Sequence, residues 1–416
     1  MRILYLLKTY LSWLIILARY LFALLLAPAA KQTKFYKHLW IISERGTDAR
    51  DNAFHLFSYI RSHSPNLPIA YIIKKDSADF HKVSSLGKTI FFGSFRHYLA
   101  LACAEMKIST HIMGFTPDMY FFTKLSRLGL VHGPVAFIQH GSIRNDLPLL
   151  HKDVTSPDLF VTSLPRERDF ICETFGQPEK AVQVLGLCRY DALVPRNPRK
   201  AAKTILFMPT WRMDLQHAGR ETFLNSTYFH ACQSLLNSPL LGQILNDSGC
   251  RFLFYPHYEV QKFINLFSTQ NPCIRILSFQ ADVQKLLLEA DILITDYSSI
   301  SFDMAYMEKP MVFYQFDGGH FWSSHYRKGY FNDETDGFGP VALTEDALLG
   351  ELLKILSNGG QMAPEFSARA RRFFAYRDKN NCKRNFDAKV LCARFSDGQK
   401  RKEPWAAGDV PGGECS

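Results

Sequence analysis

Residues 291–305 read DILITDYSSISFDMA. The apolar run that opens this stretch has the length and composition of a strand buried on both faces. Behind it, Ile300, Met304 and Met307 carry core spacing and Pro310 closes the segment, so a helix capped by Ser298 or Ser299 is expected. Strand, tight turn and capped helix together make the repeating unit of a doubly wound α/β sheet. Ser299, Asp303 and Tyr306 share the neighbouring helical face. Free N–H groups and serine hydroxyls at a helix start suit a phosphate, and Asp303 one turn in suits a ribose hydroxyl. An ordinary structural cap is the competing reading, because serine is common at that position for that reason alone.

Working outward, the same unit recurs. HLWIIS, IAYIIK, TIFFG, MKIST, VAFIQH, DLFVTS and VQVLGL precede residue 190, and TILFMPT, RFLFYPH, CIRILS, DILITD and MVFYQF follow residue 203. Most are separated by helix-like segments, which implies parallel sheets covered on both faces. VPRNPRKAAK, residues 194–203, interrupts the rhythm with two prolines and four cations and reads as an interdomain linker. The expected organisation is therefore a hydrophobic helix at 1–33, a Rossmann-like domain at 34–195, a second at 196–360, helices packing back at 361–395 and a polar, disordered tail at 396–416. Ligands in such folds bind at the carboxyl ends of strands, here in a cleft between two domains.

Composition agrees with a folded chain of two domains: 416 residues, 47% apolar and 21% charged, are too many for one ordinary core and too apolar for disorder. A net charge of +10 calls for an anionic partner without choosing among nucleotides, phosphopolymers, nucleic acid and acidic lipid. The nine cysteines are scattered singly with no Cys-x-x-Cys pair, which encodes neither a disulfide framework nor a zinc site and suits a reducing cytoplasm.

The first 33 residues are strongly apolar but carry Lys8 and Arg19. On a helical wheel Lys8, Ser12 and Arg19 fall within about 40° of one another, a narrow polar stripe on an apolar cylinder. Such a helix lies in a membrane interface, and Lys31, Lys34 and Lys37 add attraction to anionic headgroups. A cleaved signal peptide ending at LLLAPAA competes, against which stand Arg19 inside the apolar run and the cysteine usage. Deleting residues 1–30 is expected to release the chain from membranes and to spare donor binding.

Candidate chemistry gathers after the apolar runs. His140, before Gly141, is placed to act as a general base or to be a histidine hydrogen-bonded at a strand end, and His257, after Pro256, repeats the arrangement in the second domain. Thr210 and Arg212 at another strand end suit a phosphate, while Trp211 reads as packing. A polar cluster of Glu44, Arg45, Asp48, Arg50, Asp51 and Asn52 follows the first strand and suits either an acceptor or a surface salt-bridge network. No Gly-rich phosphate loop and no Asp-x-Asp occurs, so a site without metal or cofactor is expected.

ISERGTDARDNAFHLF, IQHGSIRNDL, GLCRYDAL, MPTWR, YPHYEVQ, ITDYSSISFDMAYMEKPMVFYQFD and HYRKGYFNDETDGFGPV, in that order from about residue 38 to 390, resemble the CDP-glycerol glycerophosphotransferase family. The resemblance implies a GT-B-like pair of Rossmann domains, peripheral attachment at the cytoplasmic face of the cell membrane, and no nucleic-acid partner. It also implies transfer of an alditol phosphate from CDP-glycerol or CDP-ribitol to a polyprenyl-diphosphate-linked acceptor in teichoic-acid or capsule synthesis. The family's paired histidines match His140 and His257. Its donor-binding positions match Thr210, Arg212, Ser298, Ser299 and Asp303, with Asp296 ending the strand before them. A lysine usual after the His-Gly motif is replaced by SIRND, which leaves Arg144 as the nearest cation. A sugar-transferring GT-B enzyme and a non-catalytic polymer-binding tether are the alternatives. Nucleotide-sugar use separates the first, and absence of CMP release from any CDP-donor the second.

Overall fold

The computed structural model describes residues 2–194, 201–324 and 327–388. Most of the linker read at 194–203, the end of the 361–395 segment and the tail at 396–416 lie outside the described residues.

Two parallel sheets dominate. The first comprises β1 (Trp40–Ser43), β2 (Ile69–Ile73), β3 (Lys88–Phe91), β4 (Met106–Ser109), β5 (Val135–Phe137), β7 (Leu159–Thr162) and β8 (Val182–Val184), in the order β3-β2-β1-β4-β5-β7-β8. The second comprises β9 (Thr204–Met208), β10 (Arg251–Phe254), β11 (Ile274–Ile276), β12 (Ile292–Thr295), β13 (Met311–Tyr314) and β15 (Val341–Ala342), in the order β11-β10-β9-β12-β13-β15. Each of the twelve apolar runs holds all or most of one of these strands. Both orders reverse direction beside the first strand of their sheet, at β1/β4 and at β9/β12. A doubly wound sheet opens a crevice at that switch point, beyond the carboxyl ends of its strands.

A two-residue ladder joins the domains. β6 (Asn145–Asp146) pairs antiparallel with β14 (Arg327–Lys328), bringing Gly329 so close that a Cβ there would lie 2.2 Å from the Arg144 carbonyl oxygen. The chain then returns to its first half. The helix Asn381–Asp387 docks on α2 (Asn52–His63) and the turn Cys188–Ala192, with Asp191 accepting from the Asn381 and Cys382 amides at 2.8 and 2.7 Å.

The N-terminal helix α1 (Arg2–Ala30) is built into the first domain rather than appended to it. Tyr20, Ala23 and Ala27 are buried against the helices Phe95–Cys103 and Met119–Arg127. Tyr20 Oη donates to the Leu130 carbonyl at 3.0 Å, and the Trp13 ring stacks on Phe121 at 5.3 Å. The opposite face leaves Leu7, Leu11, Leu14, Leu21, Phe22 and Leu25 exposed, with exposed Lys8, Ser12 and Arg19 along one flank. Leu7–Ala30 is long and apolar enough to cross a membrane by length and composition, with mean hydropathy 2.0. The expected harmless deletion of residues 1–30 does not fit this packing, because it strips the cover from an apolar strip of the domain.

Candidate active site

The loop after β5 is held by more bonds than it needs to keep its shape. Gln139 adopts φ +56°, a left-handed conformation that costs a non-glycine residue on the order of 1 kcal/mol or more and persists only where neighbours impose it. Asn52 Nδ2 donates to the Gln139 carbonyl at 2.7 Å, and Gln139 Nε2 donates to the Val161 carbonyl and to Glu167. Glu167 in turn accepts from the amides of Ile143 at 2.6 Å and Ser163 at 2.8 Å. Burial pushes that carboxyl up to about 7 against these donors. The frame delivers the next residue, His140, with its side chain exposed to the cleft.

Desolvation by the enclosing cleft walls lowers the His140 imidazole below its ordinary value, with Asp51 opposing and Arg189 and Arg45 acting in the same sense as the walls. The open ring is partly screened by solvent, so the direction is what carries. His111, two residues past β4, stacks on the ring with centroids 4.7 Å apart and planes inclined by 14°.

His257 behaves differently. It caps the 3-10 helix Tyr258–Leu266, its Nδ1 accepting from the Glu259 amide at 3.3 Å, and its ring lies near-parallel to Trp211. Burial, followed by the charges of Arg45 and His140, holds it down to about 4. A neutral ring that accepts at Nδ1 carries its proton on Nε2, so His257 is a hydrogen-bond donor near neutral pH rather than a base.

Thr210, Ser298 and Ser299 supply hydroxyls from the second domain. Thr210 Oγ1 is shielded and without a hydrogen-bond partner among the described residues. Ser298 Oγ accepts from the Ile300 amide at 3.4 Å, while Ser299 occupies the cap of the two-turn helix Ile300–Tyr306 without a capping bond from its side chain. Ser299 reaches across the domain boundary: a Cβ on Gly141 would lie 3.0 Å from its Oγ. Glycine beside His140 therefore lets the two walls approach.

Four charged residues read as substrate ligands are engaged in ion pairs and turn bonds within the protein. Arg212 is 1% exposed and forked onto Asp317 at 2.5 and 3.0 Å, with Asp296 at 2.9 Å and four aromatic rings around its guanidinium. It ties the ends of β9, β12 and β13 together instead of presenting its fork to a phosphate. Asp296 accepts from the Thr210 and Tyr297 amides at 2.8 and 2.6 Å, so it shapes the turn rather than touching a ligand. Arg144, 3% exposed, pairs with Asp333 at 2.7 Å beneath the interdomain ladder and lies over Phe331. Asp303 is 1% exposed and engaged in a bidentate pair with Arg189, at 2.6 and 2.8 Å, which leaves the ribose reading without a free carboxylate.

Arg189 is the residue that sequence reasoning passed over. From the turn Cys188–Ala192 it joins Asp303 of the second domain to Asp51 of the first at 2.8 Å, and donates to the His140 carbonyl. Its place in GLCRYDAL, beside the residues that close the first sheet, was the available signal.

Between the walls lies a cavity of about 950 Å³ lined by, among others, Glu44, Arg45, Lys74, His111, His140 and Tyr258. Asp303 and Arg189 also line it; Thr210, His257, Ser298 and Ser299 do not. The polar cluster after β1 divides into distinct roles. Glu44 is buried, accepts from the Arg50 and Asp51 amides, and is pushed up to about 8 by burial and then by Asp51 and Asp48. Arg50 pairs with Asp79 at 2.7 Å, and the exposed Arg45 meets Asp48 at 3.3 Å.

Residues 26–388 match the family described as CDP-Glycerol:Poly(glycerophosphate) glycerophosphotransferase. The minor teichoic acid biosynthesis protein GgaB of Bacillus subtilis (strain 168) is 30% identical over 363 residues, covering 85% of this chain and 39% of its own. A teichoic acid poly(glycerol phosphate) polymerase of Staphylococcus epidermidis is 25% identical over 358 residues, covering 77% of this chain and 46% of its own. The chain thus spans less than half the length of either. Among solved structures, the wall teichoic acid polymerase TagF aligns over 95% of this chain and 98% of its own, with TM-score 0.65 and 17% identity, a likeness of fold. One of its forms was soaked with CDPG.

Proposed function

Since this chain belongs to the CDP-glycerol:poly(glycerophosphate) glycerophosphotransferase family, we propose that it transfers an alditol phosphate, glycerol phosphate first among them, from a CDP-alditol to a hydroxyl of a polyprenyl-diphosphate-linked acceptor. The observation that carries this reading is the placement of His140, open to the cleft beside Gly141, at the point where Gly141 meets the Ser299 hydroxyl of the opposite wall. In the step, a ring nitrogen of His140 takes the acceptor's O–H proton. The oxygen bonds to the phosphorus bearing the alditol, and the bond from that phosphorus to the bridging oxygen breaks, releasing CMP. Negative charge grows on the departing phosphate, where His257 Nε2–H and the hydroxyls of Thr210, Ser298 and Ser299 donate. Positioning of the two substrates supplies most of the remaining acceleration.

The choice of CDP-glycerol as donor is supported by the relatives, which are named for minor teichoic acid and poly(glycerol phosphate), and by the CDPG soaked into TagF. The test is a screen of CDP-glycerol, CDP-ribitol and nucleotide sugars with a polyprenyl-diphosphate-linked acceptor, reading CMP release and product length. CMP release is expected from a CDP-alditol, at the same rate in EDTA, because the proposed donors of hydrogen bonds are all protein groups. Release of UDP or GDP from a sugar donor instead would replace this reading with glycosyl transfer.

Attachment to the cytoplasmic face of an anionic membrane is part of the same proposal, supported by the two-sided α1. Its inner face is docked on the domain, so its exposed leucines are the part available to lipid. Changing Leu14, Leu21 and Leu25 together to Glu should weaken binding to anionic vesicles by on the order of 1000-fold or more, at about 1.5 kcal/mol or more per leucine, with little change in Tm. By contrast Ala23→Glu, on the inner face, should lower Tm. Co-sedimentation and thermal melting distinguish the two, and undiminished vesicle binding by the triple variant places the anchor elsewhere.

A further inference from the structure

His111 has no part in the transfer step as described, yet it lines the same cavity and touches the proposed base. We infer that His111 is a positioning residue for His140, a rigid plate whose ring backs the base face to face and fixes its edge toward the cleft. The inference rests on the reading of His140 as the base of alditol-phosphate transfer.

The plate is anchored independently of His140. The His111 amide donates to Ser109 Oγ at 3.1 Å, its Nδ1 lies 2.9 Å from Thr110 Oγ1, and its carbonyl accepts from the Gly114 amide at 3.0 Å. Gly114 presses against the loop after β1, where a Cβ would lie 2.0 Å from the Glu44 carbonyl oxygen. His111 is therefore held between two strand ends, while His140 extends into open space. An imidazole free on its cleft side samples several ring orientations, and only some aim a nitrogen at an incoming hydroxyl. A parallel neighbour 4.7 Å away removes most of them.

The plate's charge state matters as well. Burial holds His111 well below its ordinary value, and the charges of His140 and Arg45 act in the same direction. A second cation at this distance would oppose protonation of His140, and a neutral ring adds no such repulsion. The other charged or titratable groups acting on His140 are Asp51, Arg189 and Arg45, with His257 across the cleft. None of them is altered by a change at His111.

Two substitutions separate plate from structural filler. His111→Ala removes the stack, and His111→Phe keeps an aromatic face of similar size without ring nitrogens. With CDP-glycerol and acceptor, His111→Ala is expected to lose about tenfold or more in kcat with KM for the donor within about twofold, and His111→Phe to stay within about threefold of the native kcat. In imidazole NMR of the full chain, the His140 titration in His111→Ala should move up by about half a pH unit or more, since solvent replaces the stacked ring. The NMR measurement needs no substrate, so it tests the pairing even where the native chain proves inactive on CDP-alditols. An unchanged His140 titration in His111→Ala overturns the inference, as does a His111→Phe enzyme as slow as His111→Ala.

Discussion

His140→Ala is expected to lower CMP release from CDP-glycerol by on the order of 10³-fold, within the range that a positioned general base contributes, while donor affinity stays within about twofold. The side chain is open to the cleft, so truncation leaves no buried polar group stranded. What Arg189 holds is the His140 backbone carbonyl, which alanine retains. Tm should therefore move little, and the loss should fall on kcat. The pH profile supplies a second check. A base works when unprotonated, and surrounding protein lowers the His140 value below 6.5. The native rate should stay level down to pH 6.5 and fall as pH drops through a value beneath it, and residual turnover of His140→Ala should lack that limb. Turnover by this variant within tenfold of native would remove His140 from the chemistry.

The sequence carried the sheets because parallel strands buried on both faces are continuous apolar runs, and twelve such runs hold strands. The ladder of Asn145–Asp146 with Arg327–Lys328 left no such trace: two polar residues on each side become strands only through a partner in the other domain. The same limit governs the charged residues. Arg212 and Asp303 stand where a ligand contact is plausible, just past a strand or one turn into a helix. Their partners, Asp317 and Arg189, are 105 and 114 residues away, and local pattern says nothing about pairing at that range. His140 and His257 stood out as strand-end residues, but their division into acceptor and donor came from surroundings, an open ring for one and a capped, half-buried ring for the other. For α1, an apolar face against lipid and an apolar face against the chain's own domain read alike, and only the polar flank of Lys8, Ser12 and Arg19 was distinctive.

Arg189 should show the largest combined loss of stability and activity. It is almost wholly enclosed and meets Asp303, Asp51 and the His140 carbonyl at once. Arg189→Ala leaves the 1% exposed Asp303 without its counter-charge, a kind of loss that costs about 3–5 kcal/mol. Arg189→Lys keeps the charge but cannot make both parallel bonds to Asp303 and still reach Asp51, so an intermediate loss is expected. Arg189→Met with Asp303→Asn removes both buried charges and should recover a large part of the stability, since an uncompensated charge is costlier than an absent pair. Activity should not return with it. The His140 carbonyl still lacks its donor, and the two walls have lost the link that sets Ser299 against Gly141. With Arg189→Met and Asp303→Asn also made singly, denaturant melts and CMP release over the cycle give the coupling between Arg189 and Asp303 directly. Recovery of turnover together with stability would reduce Arg189 to a fold-stabilising residue. Stability recovered without turnover would make it the residue through which the two domains set the position of the base.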